Sequence, residues 1–466
     1  MFNETTVTKA LDKIQEIFTT DSAENLARET SLVQRASEKF KPLNFLILIV
    51  LRMFVCPDMT LDSMTDYLAT VTGGCRMTPQ ALWDRLRSPF AVRFLHRAYS
   101  RVLEKKLAVP LGKCTSKGIL ARFTDVLIED STSVSLHSRA KALFKGVGGG
   151  ASKSGYKIHL IWNCLSSDIC SMKISGSSTT DQSTAAGILT CLTKGALIIR
   201  DLGYFSIPIF SEIAGMSAFF LSRFKRGVCV YTLDGELIED LPKHLGVLLK
   251  NSSTVELQVL IGKKARLPVR LIAHRVPDDV YNQRMRRSKK IAKSQGYQVT
   301  KATKGWNRYN IFITNVPTDK LAAEEVAVLY GLRWQIELIF KAWKSCLQID
   351  VIKGELENRI HCIILGRLIA ILLISTLFST LSRYIYEFRS RELSLHKFLI
   401  WIRDHTEILV SSKDLHSTIK IMESAIPNWY KQKRARKTTL GYLEMEATYD
   451  DLYPQIALIH PFEDLA

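Results

Sequence analysis

The sequence predicts a mixed α/β protein with helical segments at both ends, and three observations carry that expectation. Residues 1–118 place apolar residues at helical spacing, as in LDKIQEIF, FLILIVLRMFV and AVRFLHRAYSRVL. From Phe123 short β-branched and aromatic runs take over. After Val316 the pattern returns to helix and stays there.

The β-rich part resolves into an ordered series. Residues 126–130 (VLIED) are a short strand, and residues 155–165 and 169–175 form a hairpin about a Ser-Ser-Asp turn. Residues 180–192 read as a helix capped by Thr180, residues 195–204 as a buried strand entering a glycine turn. A helix over 207–213 and a strand over 218–224 complete it. A hairpin followed by α/β alternation is a mixed sheet covered by helices. A long interruption follows, with strands expected at 254–262, 267–276 and 309–316.

Composition narrows the partners. Hydrophobic residues make up 47% and charged residues 23%, an ordinary globular balance. Lys+Arg number 64 against 45 Asp+Glu, a formal net charge of +19, which favours a polyanion. Nine Cys residues, with no CxxC pair and no His cluster at ligand spacing, argue against a zinc site or disulfide framework and for a reducing compartment. The N-terminus has no apolar signal core. The apolar run at 368–380, bracketed by Arg367 and Arg383, is shorter than the ~20 residues that cross a bilayer. Nucleic acid is therefore the expected partner, with no membrane, in a cytoplasmic protein.

Two segments bear on that partner. Residues 60–86 read as two helices joined at Gly73-Gly74, the second capped by Thr78 with Pro79 first. They are either a helix-turn-helix presenting Gln80, Trp83 and Arg85, or two ordinary helices on a glycine turn. Residues 282–308 hold many cations, among them Arg286, Arg287, Lys289 and Lys290, and no Asp or Glu, with Tyr297 and Trp306 interleaved. That tract is either a solvated linker or a phosphate-contacting surface. A second basic tract lies at 428–437, and GVGGGASKSG at 146–155 reads as a flexible connector rather than a phosphate loop.

The segment YGLRWQIELIFKAWK, residues 330–344, is unusual. On one helical wheel Tyr330, Arg333, Glu337 and Lys344 fall within an arc of about 60°, opposite Leu332, Ile336, Ile339 and Trp343. The polar line is either a solvated face with charge pairs or a functional one. Two further acids stand where strands run out: Asp130 after VLIE and Asp201 after IIR. Glu129, by strand alternation, points to the face opposite Asp130. Carboxylates without His or Cys suit Mg²⁺ or Mn²⁺, and two such ions about 3.5–4 Å apart serve phosphodiester chemistry. Singly, each Asp reads equally as a turn former.

Together these residues resemble a family. Tyr330, Arg333, Glu337 and Lys344 match the YREK signature of bacterial transposases of the insertion-sequence-four family. Asp130-Ser131-Thr132 and Asp201-Leu202-Gly203-Tyr204 resemble its two aspartate motifs, in the family's order. The resemblance implies a ribonuclease-H-like core (119–225 and 313–375) interrupted by a β-rich insertion (226–312). It also implies a helical DNA-end-binding region (1–118) and a helical C-terminal region (376–466) that pairs protomers. It implies Asp130, Asp201 and Glu337 as catalytic, metal-binding acids with two Mg²⁺ or Mn²⁺ ions, and Tyr330, Arg333 and Lys344 as phosphate contacts. Its substrates would be double-stranded DNA, at the terminal inverted repeats and the target, cut and joined by a homodimer at a bacterial nucleoid. The family's base-stacking Trp falls near Asn310 here, leaving Tyr309 or Trp306 either to stack a base or to pack a β-layer. The alternatives are a catalytically silent DNA-binding descendant and a hydrolytic nuclease on the same core.

Overall fold

The structure, a computed structural model, describes residues 11–12, 14–35, 39–71, 77–107, 118–148, 153–352, 354–389, 391–409 and 415–431. Its strands are β1 (Val126–Leu136), β2 (Ser154–Asn163), β3 (Asp168–Gly176), β4 (Leu197–Arg200), β5 (Phe219–Arg223), β6 (Val230–Tyr231), β7 (Thr254–Ile261), β8 (Leu267–Arg275) and β9 (Tyr309–Thr314). They form one sheet in the order β3-β2-β1-β4-β5-β9-β8-β7-β6. β1, β4 and β5 run parallel and the remaining pairs antiparallel, the mixed sheet expected of a ribonuclease-H-like core. The strands of the interruption extend this sheet through β9 rather than standing apart from it.

Alternation divides the sheet into two apolar faces. Val126, Ile128, Leu197 and Ile199 face the layer that contains Ile336, Phe340 and Trp343. Leu127, Ile198, Phe220 and Ile311 face the other. The first layer is continuous from Phe45 and Phe94 in the N-terminal helices to Phe398 and Trp429 near the C-terminal end of the described chain. The helical ends and the sheet therefore share one core.

Several expectations change. β1 does not stop at Asp130 but continues to Leu136, paired with β2 along Leu127–Leu136. Its last residues alternate buried and exposed, with Val134 and Leu136 inward. β4 ends at Arg200, whose partner on β1 is Glu129. Asp130 is therefore mid-strand, but at the level where its parallel neighbour ends.

The segment 330–344 is not one straight helix. Helices Ala323–Gly331 and Trp334–Leu347 meet at Leu332 and Arg333 through tight three-residue bonds, Leu332 N to Leu329 O and Arg333 N to Tyr330 O. The basic tract is not a linker: most of it lies in helices Asp278–Ser294 and Lys301–Trp306.

The run at 368–380 belongs to a helix of 33 residues, Glu357–Arg389. By length and composition it could cross a membrane, but 94% of its most apolar window is buried inside the fold. Gly366 allows it close to the π-helical turn Leu48–Arg52, because a Cβ there would lie 2.7 Å from the Ile49 carbonyl oxygen.

Thr78 caps helix Pro79–Leu86 as expected, accepting from Ala81 N, but that helix does not present Arg85. The Arg85 guanidinium donates to the Leu32 carbonyl at 2.7 Å and lies over the Phe40 ring, and Arg359 covers Trp83. The Gly73-Gly74 turn, residues 149–152 of the glycine-rich connector and residues 432–437 of the second basic tract lie outside the described residues.

Candidate active site

Register brings the first two acids together. Glu129 and Arg200 are partners across the parallel pair, so the next residues, Asp130 and Asp201, stand side by side as β4 ends. By alternation both point to the face on which helix Trp334–Leu347 packs. Asp201 also caps the turn Leu202–Tyr204, accepting from Gly203 N at 3.2 Å. The backbone N–H of Ser131 donates to Asp130 Oδ1 at 2.7 Å.

The third acid arrives on the helix, and one guanidinium joins all three. Arg333 Nη2 is 2.7 Å from Glu337 Oε1, Nη1 is 3.5 Å from Asp130 Oδ2 and Nε is 3.5 Å from Asp201 Oδ1. The Arg333 side chain is 4% exposed, against 17% for Asp130, 13% for Asp201 and 23% for Glu337. The acids are thus the more exposed members of a cluster centred on the arginine. Burial pushes the Asp130 carboxyl up to about 7; Asp201 and Glu337 push the same way, while Arg333 and the Ser131 N–H oppose them.

Glu129 is excluded by the same alternation. It turns to the other face and pairs with the fully buried Arg200, Oε2 to Nη2 at 2.6 Å. A cavity of 420 Å³, lined in part by Trp162, Leu338, Phe378 and Arg383, touches none of the three acids.

The other site residues divide. Lys344 Nζ reaches the Ser133 carbonyl on β1 at 3.4 Å, on the strand that carries Asp130. Tyr330 is not presented to solvent: it is 2% exposed and packs on Phe312, because it belongs to the preceding helix and not to a continuous polar face. Arg286, Arg287, Lys289 and Lys290 are exposed on helix Asp278–Ser294, whose inner face is Val280, Arg284, Met285, Ser288 and Ala292. Asn310 is buried and accepts from Arg284 Nη2 at 2.6 Å. Trp306 stacks on Phe224, and both Trp306 and Tyr309 pack against the second apolar layer.

A family profile described as the transposase DDE domain matches residues 121–373, the span that carries all three acids. The chain belongs to this family. It is 28% identical over 423 residues to the transposase for insertion sequence element IS231F of Bacillus thuringiensis subsp. israelensis, covering 86% of each protein. It is 28% identical over 335 residues to the transposase for insertion sequence element IS1151 of Clostridium perfringens, covering 68% of this chain and 70% of that one. A cryo-EM structure of the piggyBac transposase synaptic complex with hairpin DNA aligns with 94% of this chain and 87% of its own at 11% identity and a TM-score of 0.43.

As a DDE transposase this protein is an enzyme of DNA transposition that cuts DNA and transfers strands, with a requirement for divalent metal. Among the described residues no three His, Cys, Asp or Glu side chains already stand at ligand spacing. The donor chemistry nonetheless fits: three carboxylates surround one cation, without imidazole or thiolate, as hard divalent ions prefer. One residue near this site carried no signal in the sequence: Asp181, whose carboxylate accepts from Ser131 Oγ directly behind Asp130.

Proposed function

We propose that Asp130, Asp201 and Glu337 hold two Mg²⁺ ions, replaceable by Mn²⁺, for cut-and-paste transposition of an insertion sequence. The observation that carries this reading is the convergence of all three carboxylates on the single Arg333 guanidinium. Such ions, when bound, make a water or a 3′-hydroxyl more nucleophilic and stabilise the leaving oxygen of a phosphodiester.

The chain's own groups do the rest. Arg333 neutralises the acids before loading, and its fork then suits phosphate oxygens at the cut end. Lys344, tethered beside β1, adds a point charge. The Arg286, Arg287, Lys289 and Lys290 face tracks the phosphate backbone, giving affinity without sequence. Tyr330 supports the Leu332–Arg333 turn from within the core. Trp306 and Tyr309 pack the β-layer.

Residues 1–118 contribute to binding the terminal inverted repeats, 119–225 and 313–375 carry the chemistry, 226–312 carry the basic face, and 376–466 pair two copies in the synaptic complex. The enzyme works on double-stranded DNA in the bacterial cytoplasm, at the nucleoid.

The test is end cleavage in Mg²⁺ with labelled DNA carrying the inverted repeats that flank the gene. Asp130→Asn, Asp201→Asn and Glu337→Gln should each cut nicking by at least about 10³-fold, with end binding retained. Nicking that survives any one substitution contradicts the assignment. Nicking without joining identifies a hydrolytic nuclease, and end binding without nicking a silent descendant.

A further inference from the structure

Behind the acids, on the opposite face of the sheet, stands a fourth carboxylate. Asp181 opens the short helix Asp181–Thr184, whose cap Thr180 accepts from Ser183 N. Its Oδ1 accepts from Ser131 Oγ at 2.8 Å and from Lys157 Nζ at 3.0 Å. Lys157 is 12% exposed and donates also to the Thr179 carbonyl, so the ion pair ties β2 to the loop before the helix. The other oxygen, Oδ2, faces Gly203 so closely that a Cβ built there would lie 3.0 Å from it. His159 completes the cluster, its Nδ1 3.8 Å from Asp181 Oδ1 and 3.2 Å from the Tyr204 hydroxyl.

Besides Lys157 and His159, Asp181 meets the two residues that orient the acids. Ser131 N–H donates to Asp130 Oδ1, and Gly203 N–H donates to Asp201 Oδ2. We infer that Asp181 is a positioning residue: its carboxylate clamps Ser131 and Gly203 and so fixes Asp130 against Asp201 for cation binding. The inference rests on the reading of Asp130 and Asp201 as cation-holding acids. Asp181 lies on the face of the sheet opposite the three acids, so it acts on them through Ser131 and Gly203. Partners that orient metal-binding side chains typically change affinity by about 10–100-fold when removed.

Gly203 supplies an independent variant. Its backbone is not in the left-handed region, so alanine is tolerated by the chain, and the three atoms nearest the added methyl all belong to Asp181. The probe is Mn²⁺, its free concentration read by electron paramagnetic resonance during titration of the full-length protein, with thermal unfolding of every variant in parallel.

Asp181→Asn and Gly203→Ala should each weaken Mn²⁺ binding by about tenfold and keep the parent's melting behaviour. Asp181→Asn should also raise the Mn²⁺ needed for half-maximal cutting while the rate at saturation recovers. Folded variants that bind Mn²⁺ as tightly as the parent overturn the inference. An Asp130→Asn control that also binds as tightly overturns the reading beneath it. Weakening in Asp130→Asn alone overturns the clamp and leaves the role of the acids standing. Should Asp181→Asn fail to fold, Gly203→Ala and Ser131→Ala decide by the same titration.

Discussion

Arg333 Nη2 stands 2.7 Å from Glu337 Oε1, one helical turn away, and the same guanidinium meets Asp130 and Asp201 at 3.5 Å. One cation is thus shared by three acids. Arg333→Ala should cost on the order of 1–3 kcal/mol without divalent ions, less than a fully buried pair because the acids keep some water. Mn²⁺ should then stabilise the variant more than the parent, since it relieves a repulsion that arginine otherwise offsets. Thermal unfolding with and without Mn²⁺ measures both effects; equal stabilisation of the two proteins would count against the sharing.

On the proposed reading, the exposed face of helix Asp278–Ser294 binds DNA through charge. Replacing Arg286, Arg287, Lys289 and Lys290 with Gln should weaken DNA binding at low salt and flatten its salt dependence by about 0.9 log units of slope for each phosphate no longer neutralised. Fluorescence anisotropy across a salt series reads this directly. An unchanged slope places the DNA elsewhere.

Glu129 and Arg200 form a buried pair on the face of the sheet opposite the three acids. The Glu129 side chain is 4% exposed and the Arg200 side chain fully covered. Burial drives the Glu129 carboxyl up to about 7 even though Arg200 pulls it down. Glu129→Ala strands a guanidinium in the core and should cost about 3–5 kcal/mol. The double substitution Glu129→Leu with Arg200→Met should recover most of that stability. Urea midpoints of the single and double variants check it.

His274 sets an acid limit on stability. Its Nδ1 shares a hydrogen bond with Thr254 Oγ1 at 2.9 Å, and burial lowers its pKa from the ordinary 6.5 to about 4. Between those values the unfolded chain binds a proton that the folded chain refuses. Its contribution is intact above pH 6.5 and is lost as pH falls towards 4. A decrease of roughly 2–3 kcal/mol between pH 7 and pH 4.5 follows from that gap. Urea unfolding at both pH values should show a smaller pH effect in His274→Gln than in the parent.

Much of the sheet was legible because β-branched runs and Ser-Ser-Asp or glycine turns are local signals, and Asp130 and Asp201 stood out as acids closing apolar strands. The reach of β1 was not, because SVSL reads as polar until β2 pairs with it over 131–136. Tyr330 was misplaced because a helical wheel assumes one axis, whereas the chain tightens at Leu332 and Arg333. Arg85 pointed inward because a carbonyl and a ring distant in sequence, at Leu32 and Phe40, outcompete solvent. Asp181 escaped notice for a related reason. After Thr180 it looks like an ordinary residue of a first helical turn, and its partners Ser131, Lys157 and Gly203 meet it only when the sheet closes.

Whether three acids from β1, the end of β4 and helix Trp334–Leu347 form one cation site can be read from crystals grown with Mn²⁺, through anomalous scattering at the manganese edge. The expected map has manganese density in contact with carboxylate oxygens of Asp130, Asp201 and Glu337, with Arg333 displaced from between them. Manganese bound only at other carboxylates, with Arg333 still bridging the triad, would contradict such a site.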